Sequence, residues 1–162
     1  MDNKNIFISS LLGGTLSALM NATPILNMIN CFCCIGIILG GAVAFYYFDK
    51  LHNDPGLLTT ANAVTIGITT GIAASFISLI LEWIFYLLFG DWQYELMQTL
   101  VEGMDYVPEY VDELMIQIEE SLSYGFLWTP ILIRNIIILP LFCLFGSLLM
   151  KIYLLRRWLE TF

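Results

Sequence analysis

Apolar residues fall into four long runs, at 6–23, 31–48, 61–89 and 126–149, and the polar residues gather between them and at the chain ends. A helix needs about 20 apolar residues to cross the hydrocarbon of a bilayer. The first run is therefore short, with Asn21 and Asn27 expected near the interface. The third is long enough to require tilt or overhang. Only a short Pro24-containing link separates the first two runs, which predicts a tight antiparallel hairpin. Residues 49–56, DKLHNDPG, read as a polar turn. The predicted fold is all-α, a polytopic four-transmembrane-helix bundle forming one membrane domain.

Small residues recur at four-residue spacing on three of the runs. The series are Ser10, Gly14, Ala18 and Ala22; Gly36, Gly40 and Ala44; and Ala63, Gly67, Gly71 and Ser75. In lipid, helices associate by close van der Waals contact, and small residues permit it. Gly14, Gly36, Gly40, Gly67 and Gly71 are thus the expected helix-packing positions. The fourth run has only Cys143 and Ser147 at this spacing and is expected to pack more loosely.

Residues 91–124 break the apolar pattern. Val111, Leu114, Ile118 and Leu122 share one helical face, while Glu109, Asp112, Glu113, Glu119 and Glu120 take the remainder. Pro108 suits the start of that helix. Gly103 separates it from an earlier one carrying Trp92, Leu96 and Leu100. The expectation is an acidic amphipathic helical insert outside the membrane. Its charge disfavours anionic lipid, so its apolar stripe should cover the bundle or meet a protein partner.

Composition strengthens the membrane reading. Charged residues make up 12% of the chain, half of the roughly 25% usual in soluble domains. The net charge of −8 argues against nucleic acid as a partner. Nine of the fourteen acidic residues lie between Asp91 and Glu120. Five of the six basic residues, Lys4, Lys50, Lys151, Arg156 and Arg157, fall on one side of a four-span topology. The positive-inside rule then puts both termini and the tail 150–162 in the cytoplasm, and the insert outside. Trp83, Tyr86, Trp92, Tyr124 and Trp128 mark the outer interface; Tyr46, Tyr47, Tyr153 and Trp158 mark the inner one. The expected location is the cell membrane, multi-pass. The first run lacks a signal-peptidase pattern, since cleavage after Ala22 would place Met20 at −3.

Candidate chemistry is sparse. Cys31, Cys33 and Cys34 form a thiol cluster, with Cys31 and Cys34 in C-x-x-C spacing. Four zinc ligands would need the distant Cys143 or His52, so packing is the first reading and a disulfide, acylation or metal the other. Glu82 and Arg134 are the only acid and base inside apolar runs, which marks them as functional candidates. Trp83 and Tyr86 suggest that Glu82 lies at the outer interface, where a structural Glu82–Arg134 ion pair could form. A solute or proton site is the alternative. Asn21, Asn27, Asn30, Asn62 and Asn135 read as interhelical hydrogen-bonders or turn formers. No catalytic triad, phosphate loop or H-E-x-x-H is present, so no enzyme, cofactor or metal is expected.

The string P-I-L-N-x-x-N-C-x-C-C, followed by I-L-G-G-x-x-A, a Gly/Ala-rich span and an acidic insert, resembles a group of small four-span prokaryotic membrane proteins. The resemblance is strongest over the first hairpin. It implies the fold and a prokaryotic membrane, and transfers no activity. Two functional readings follow from the residues. The first is a non-catalytic accessory subunit or scaffold, associating with itself as a homo-oligomer or with a larger membrane complex through its small-residue faces. The second is a small channel or transporter for a cation or small solute. A polar stripe along a whole span would favour the second, and none is evident in the sequence alone.

Overall fold

The computed structural model describes residues 3–23, 26, 30, 34–52, 54–90, 95, 98–99, 101–103, 107–108, 110–111, 113–117 and 128–161. These residues form helices α1 (Asn3–Ala22), α2 (Ile35–His52), α3 (Thr60–Phe89) and α4 (Trp128–Thr161), with a 3₁₀ turn at Pro55–Leu57 between α2 and α3. No strand occurs among the described residues.

Local chemistry sets the helix ends. The bond from Thr23 N to Leu19 O, 3.1 Å, closes the last turn of α1 just before Pro24. Asn30 joins α1 to α2: its Nδ2 donates to Met20 O at 2.9 Å and its Oδ1 accepts from Gly36 N at 3.1 Å. Between α2 and α3, Asp54 Oδ1 accepts from Gly56 N at 2.9 Å, an Asx turn. Thr59 caps α3 by accepting from Asn62 N at 3.2 Å. Gly90, at φ 67°, ends α3 in a backbone conformation that suits glycine.

Consecutive helices run in opposite directions. α1 and α4 each pack against both α2 and α3, and α2 and α3 also meet across the bundle. Side-chain pairs give the levels. Asn5 meets His52 and Lys151 meets Thr60 at one end; Asn21 meets Ser78 near the other. The chain's first and last helical residues therefore share an end with the 3₁₀ turn.

Three helices are long and apolar enough to cross a membrane: Lys4–Ala22, Thr60–Phe89 and Asn135–Glu160. The expected fourth does not reach that standard among the described residues. The sequence places its start at Cys31, but α2 begins at Ile35 and spends its last turns on Asp49, Lys50 and His52. Cys34, at φ 55°, lies in a left-handed turn before the helix. Cys34, expected inside the second span, therefore precedes the helix, and Cys31 and Cys33 lie outside the described residues. At the other end, α4 continues without a break through Lys151, Arg156 and Arg157, so the basic tail is helical.

The bundle distributes residues as a membrane protein does. Large apolar side chains such as Phe76, Ile80, Trp83, Leu87, Ile137 and Leu141 are exposed, while the interior holds alanines, glycines and, among the described residues, thirteen buried polar or charged ones. A soluble protein exposing so much apolar surface would aggregate; lipid is the solvent that suits it.

The expected glycine positions all meet a neighbouring residue closely. A methyl group on Gly14 would come within 3.0 Å of Thr70 O, on Gly36 within 2.7 Å of Asn30 Oδ1, and on Gly67 within 2.6 Å of Leu144 Cα. On Gly40 it would run into Ser17 Oγ, and on Gly71 into the backbone of Pro140. Looser packing of the last helix is not observed. Gly41 lies against the backbone of Cys143, and Gly146 against that of Ile38. Glycines on α2 and α3, outside α4's own short series, let α4 approach.

The insert expectation falls largely on residues outside those described, including Trp92, Leu96, Leu100, Ile118 and Leu122. Described parts are the bonds from Gly103 N to Thr99 O, 3.2 Å, and from Val111 N to Pro108 O, 2.8 Å, and helical residues at 95, 98–99, 101–102, 110–111 and 113–117.

Candidate intramembrane polar site

The buried face of α3 contains Asn62, Ile66, Thr70, Ala74, Ser78 and Glu82, one every fourth residue, with Ala63, Gly67, Gly71 and Ser75 beside them. A four-residue period keeps these on one side of a helix. Most are small or polar, so the line facing the other helices is the least apolar part of a very apolar helix. Glu82 stands at its far end.

Glu82 is 8% exposed while the adjacent Trp83 is 46% exposed. Successive residues differ by about 100° around a helix. Aromatic neighbours can thus mark a membrane interface at a depth where the acid itself points inward. An interfacial depth and an inward-pointing side chain are compatible, and the side chain of Glu82 belongs to the bundle interior.

Three side chains from three helices donate to the Glu82 carboxylate. Asn21 Nδ2 of α1 lies 3.0 Å from Oε1, Ser78 Oγ of α3 lies 3.2 Å from Oε1, and Asn135 Nδ2 of α4 lies 3.2 Å from Oε2. The donors are linked among themselves. Asn21 Nδ2 also donates to Ser78 Oγ at 2.7 Å and approaches Asn135 Oδ1 at 3.4 Å. Just below, Ser75 Oγ faces Asn135 O at 2.7 Å and Gly71 O at 2.8 Å, tying α3 to α4. Burying a carboxylate in a medium of low polarity is very costly unless donors surround it. Here they do, and Asn21, Ser78 and Asn135 are themselves buried.

The polar line continues toward the middle of the bundle. Ser17 Oγ lies 3.3 Å from Ile37 O and 3.4 Å from Cys143 Sγ across the α1–α4 diagonal. Ser10 Oγ pairs with Thr69 Oγ1 at 2.7 Å. Ser9 Oγ and Thr70 Oγ1 are buried without a hydrogen-bond partner. Beyond them an apolar cluster of Ile6, Ala44, Phe45, Phe48, Leu58, Ala63, Ile66 and Leu154 fills the other end.

At that end a second set of polar groups borders the cluster. Asn5 Nδ2 is 3.2 Å from His52 Nε2, and His52 Nδ1 is 3.0 Å from Phe48 O. The carbonyl requires a hydrogen on Nδ1, so Nε2 accepts from Asn5 in a neutral imidazole. Asp49, just past the apolar part of α2, is buried and its Oδ1 has no hydrogen-bond partner. Burial pushes its carboxyl above the ordinary range, opposed by the nearby charges of Lys50 and Arg157.

The other sequence candidates do not join these groups. Cys31 and Cys33 lie outside the described residues, and Cys34 is half-buried against the cluster of Ile37, Ala74, Leu139 and Cys143. Arg134 is part of α4, but its side chain lies outside the described residues, as does any contact it makes with Glu82. Asn30 and Asn62 serve backbone ends, Asn62 Nδ2 donating to Leu57 O at 2.7 Å. Among the described residues no group of three or more His, Cys, Asp or Glu could hold a metal ion. Ser78 is the site residue that sequence reading missed. Its signal was the four-residue step to Glu82, continuous with Asn62 and Thr70.

No protein-family model, curated protein or solved structure matches the chain.

Proposed function

We propose that the protein is a small membrane channel or carrier whose bundle interior binds a cation or small polar solute at Glu82. One observation supports this above the others: an ionisable side chain inside a membrane bundle, held by donors from three helices. Such groups are rare in membranes and tend to lie on the pathway of an ion, proton or solute. The polar line below the site extends it toward the middle of the bundle, and the apolar cluster closes the opposite end. That layout suits a site open to one side at a time.

The proposal includes four spans, with α2 and the residues before it as the second. Both termini are cytoplasmic, the acidic insert is outside, and lipid covers the outward faces. An outer insert of this charge would concentrate cations near the Glu82 end. The accessory-subunit reading rested on small-residue faces left over for partners. Those faces are occupied within the chain by Ser17, Thr70, Pro140, Cys143 and Leu144, so association with a second copy is no longer needed to account for them.

Flux into liposomes reconstituted with purified protein tests the reading, using sodium, potassium and proton gradients in turn. Glu82→Gln should abolish a flux that the wild-type protein supports. Leu141→Ala, on the lipid-facing side, should leave it unchanged. Equal flux through Glu82→Gln and wild type would refute the role of Glu82.

A further inference from the structure

Pro140 divides α4 into an outer arm, residues 128–139, and an inner arm, residues 141–161. A proline ring has no N–H and crowds the carbonyl four residues back, so the helix lacks its rung at Ile136. Membrane helices tolerate such a gap, and it is where they bend.

The two arms are held differently. Gly41, Gly67 and Gly71 meet α4 at Pro140 or on its inner side, and α4's own Gly146 meets Ile38 O. Ser147 Oγ adds a bond to Ala63 O at 2.7 Å, and Lys151 Nζ one to Thr60 Oγ1 at 2.8 Å. Main-chain contact with both α2 and α3 thus fixes the inner arm. On the outer arm Leu139, next to the proline, is buried, while Ile133, Ile136 and Ile137 are exposed. Its described ties to other helices are hydrogen bonds of Asn135. The amide reaches Glu82 Oε2 at 3.2 Å, and the carbonyl accepts from Ser75 Oγ at 2.7 Å. Ser75 has one hydrogen and a second acceptor, Gly71 O of its own helix, at 2.8 Å. It can let go of α4 and still keep a hydrogen bond.

We infer that Pro140 is a hinge and Ser75 its clasp: the outer arm of α4 swings away from α1 and α3, drawing Asn135 off Glu82 and opening the site to the outer side. This rests on the reading of Glu82 as a solute site, and adds which part of the bundle moves to give access. Asn21 and Ser78, on α1 and α3, remain at the carboxylate throughout. A bend of about 20°, acting at Ile133 about 10 Å from the hinge, moves that residue by roughly 4 Å.

Spin-label distances test the hinge. Full-length protein with its four native cysteines changed to serine is placed in liposomes and read by double electron–electron resonance. The outer pair is Leu19→Cys with Ile133→Cys and the inner pair Phe7→Cys with Leu149→Cys, all at exposed positions. The outer pair should give two distances about 4 Å apart, and the inner pair one. Pro140→Ala supplies the missing N–H and keeps the N, Cα and Cβ atoms that Gly71 meets. It should leave only the shorter outer distance and lower the flux. Ser75→Ala removes the clasp and should raise the share of the longer distance. Neither change should move the inner distance. A single outer distance that Ser75→Ala leaves unchanged overturns the hinge, even where Pro140→Ala fails to fold. Flux is measured on the same samples, with Glu82→Gln alongside. Glu82-dependent flux with an outer arm that does not move overturns the hinge alone. Movement without Glu82-dependent flux overturns the solute-site reading and the gating role with it.

Discussion

Near the end of α1 and the start of α4, the helices α1, α3 and α4 surround Asn21, Ser78, Glu82 and Asn135; at the opposite end all four helices surround Phe45, Phe48, Ile66 and Leu154. Both regions are buried, and both join all or most of the bundle. They differ in what holds them. At the apolar end, stabilisation comes from rings and methyl groups filling space, Phe45 and Phe48 meeting at 6.2 Å between ring centres. At the polar end, each contact depends on a donor facing an acceptor, and a missing partner leaves a buried polar atom exposed to nothing. A region of the first kind is hard to open. One of the second kind has alternatives available, because Asn21 and Ser75 each face more acceptors than they have hydrogens.

The comparison is open to direct attack. Phe45→Ala should have the largest effect, a loss of about 3–5 kcal/mol in stability from the cavity it leaves, with flux retained in whatever protein folds. Gly71→Ile, between the two ends, should cost about 1–3 kcal/mol or more because Pro140 backbone occupies the space. Both are measured by thermal or denaturant unfolding in detergent. Glu82→Gln should reverse the pattern. Replacing the carboxylate by an amide sets an NH2 against side chains that donate to it, at a cost of about 1–3 kcal/mol, less than the cavity at Phe45, while flux is lost. A large loss of stability in Glu82→Gln would mean that the polar end is structural after all.

Asp49→Asn should have the smallest effect. Its carboxyl is held above the ordinary range, so the folded state favours the protonated form. Ionisation therefore costs stability as pH rises through the ordinary carboxylate range toward the raised value. At neutral pH the asparagine variant should be more stable, by a Tm difference of about 1–2 °C. The difference should vanish in acid, below the ordinary carboxylate range, where both carry no charge. A Tm curve measured against pH for the two proteins checks the sign.

Much of the architecture was legible because it follows from spacing. Runs of apolar residues mark helices, and the four-residue recurrence of Gly14, Gly36, Gly40, Gly67 and Gly71 marks where a neighbour comes close. Spacing does not say how far a helix extends when capping decides it. The start of α2 depends on the Asn30 side chain reaching Gly36 and on a left-handed Cys34, neither of which hydropathy registers. The site was half visible. Glu82 stood out as an acid in an apolar run, and its aromatic neighbours indicate depth; that its side chain points inward depends on how α1 and α4 pack against α3. Asn21 and Asn135 were recognisable as hydrogen-bonders; that both would reach the same carboxylate depends on the pairing of α1 and α4 with α3, more than fifty residues away in sequence in each case. Ser78 looked like one small residue among many.

The close approach of backbones through glycine has a consequence for how this protein can change over generations. On its outer faces one bulky apolar residue serves lipid about as well as another, so Ile80, Leu87 or Leu141 are free to drift. Inside, a single added methyl at Gly41, Gly71 or Gly146 meets main-chain atoms that cannot move aside without shifting a helix. Accepted substitutions should therefore accumulate on the exterior and be purged from the small-residue interior, as in a water-soluble protein, except that here the variable part is the hydrophobic one. Descendants of this chain would keep little in common except the intervals between their smallest residues.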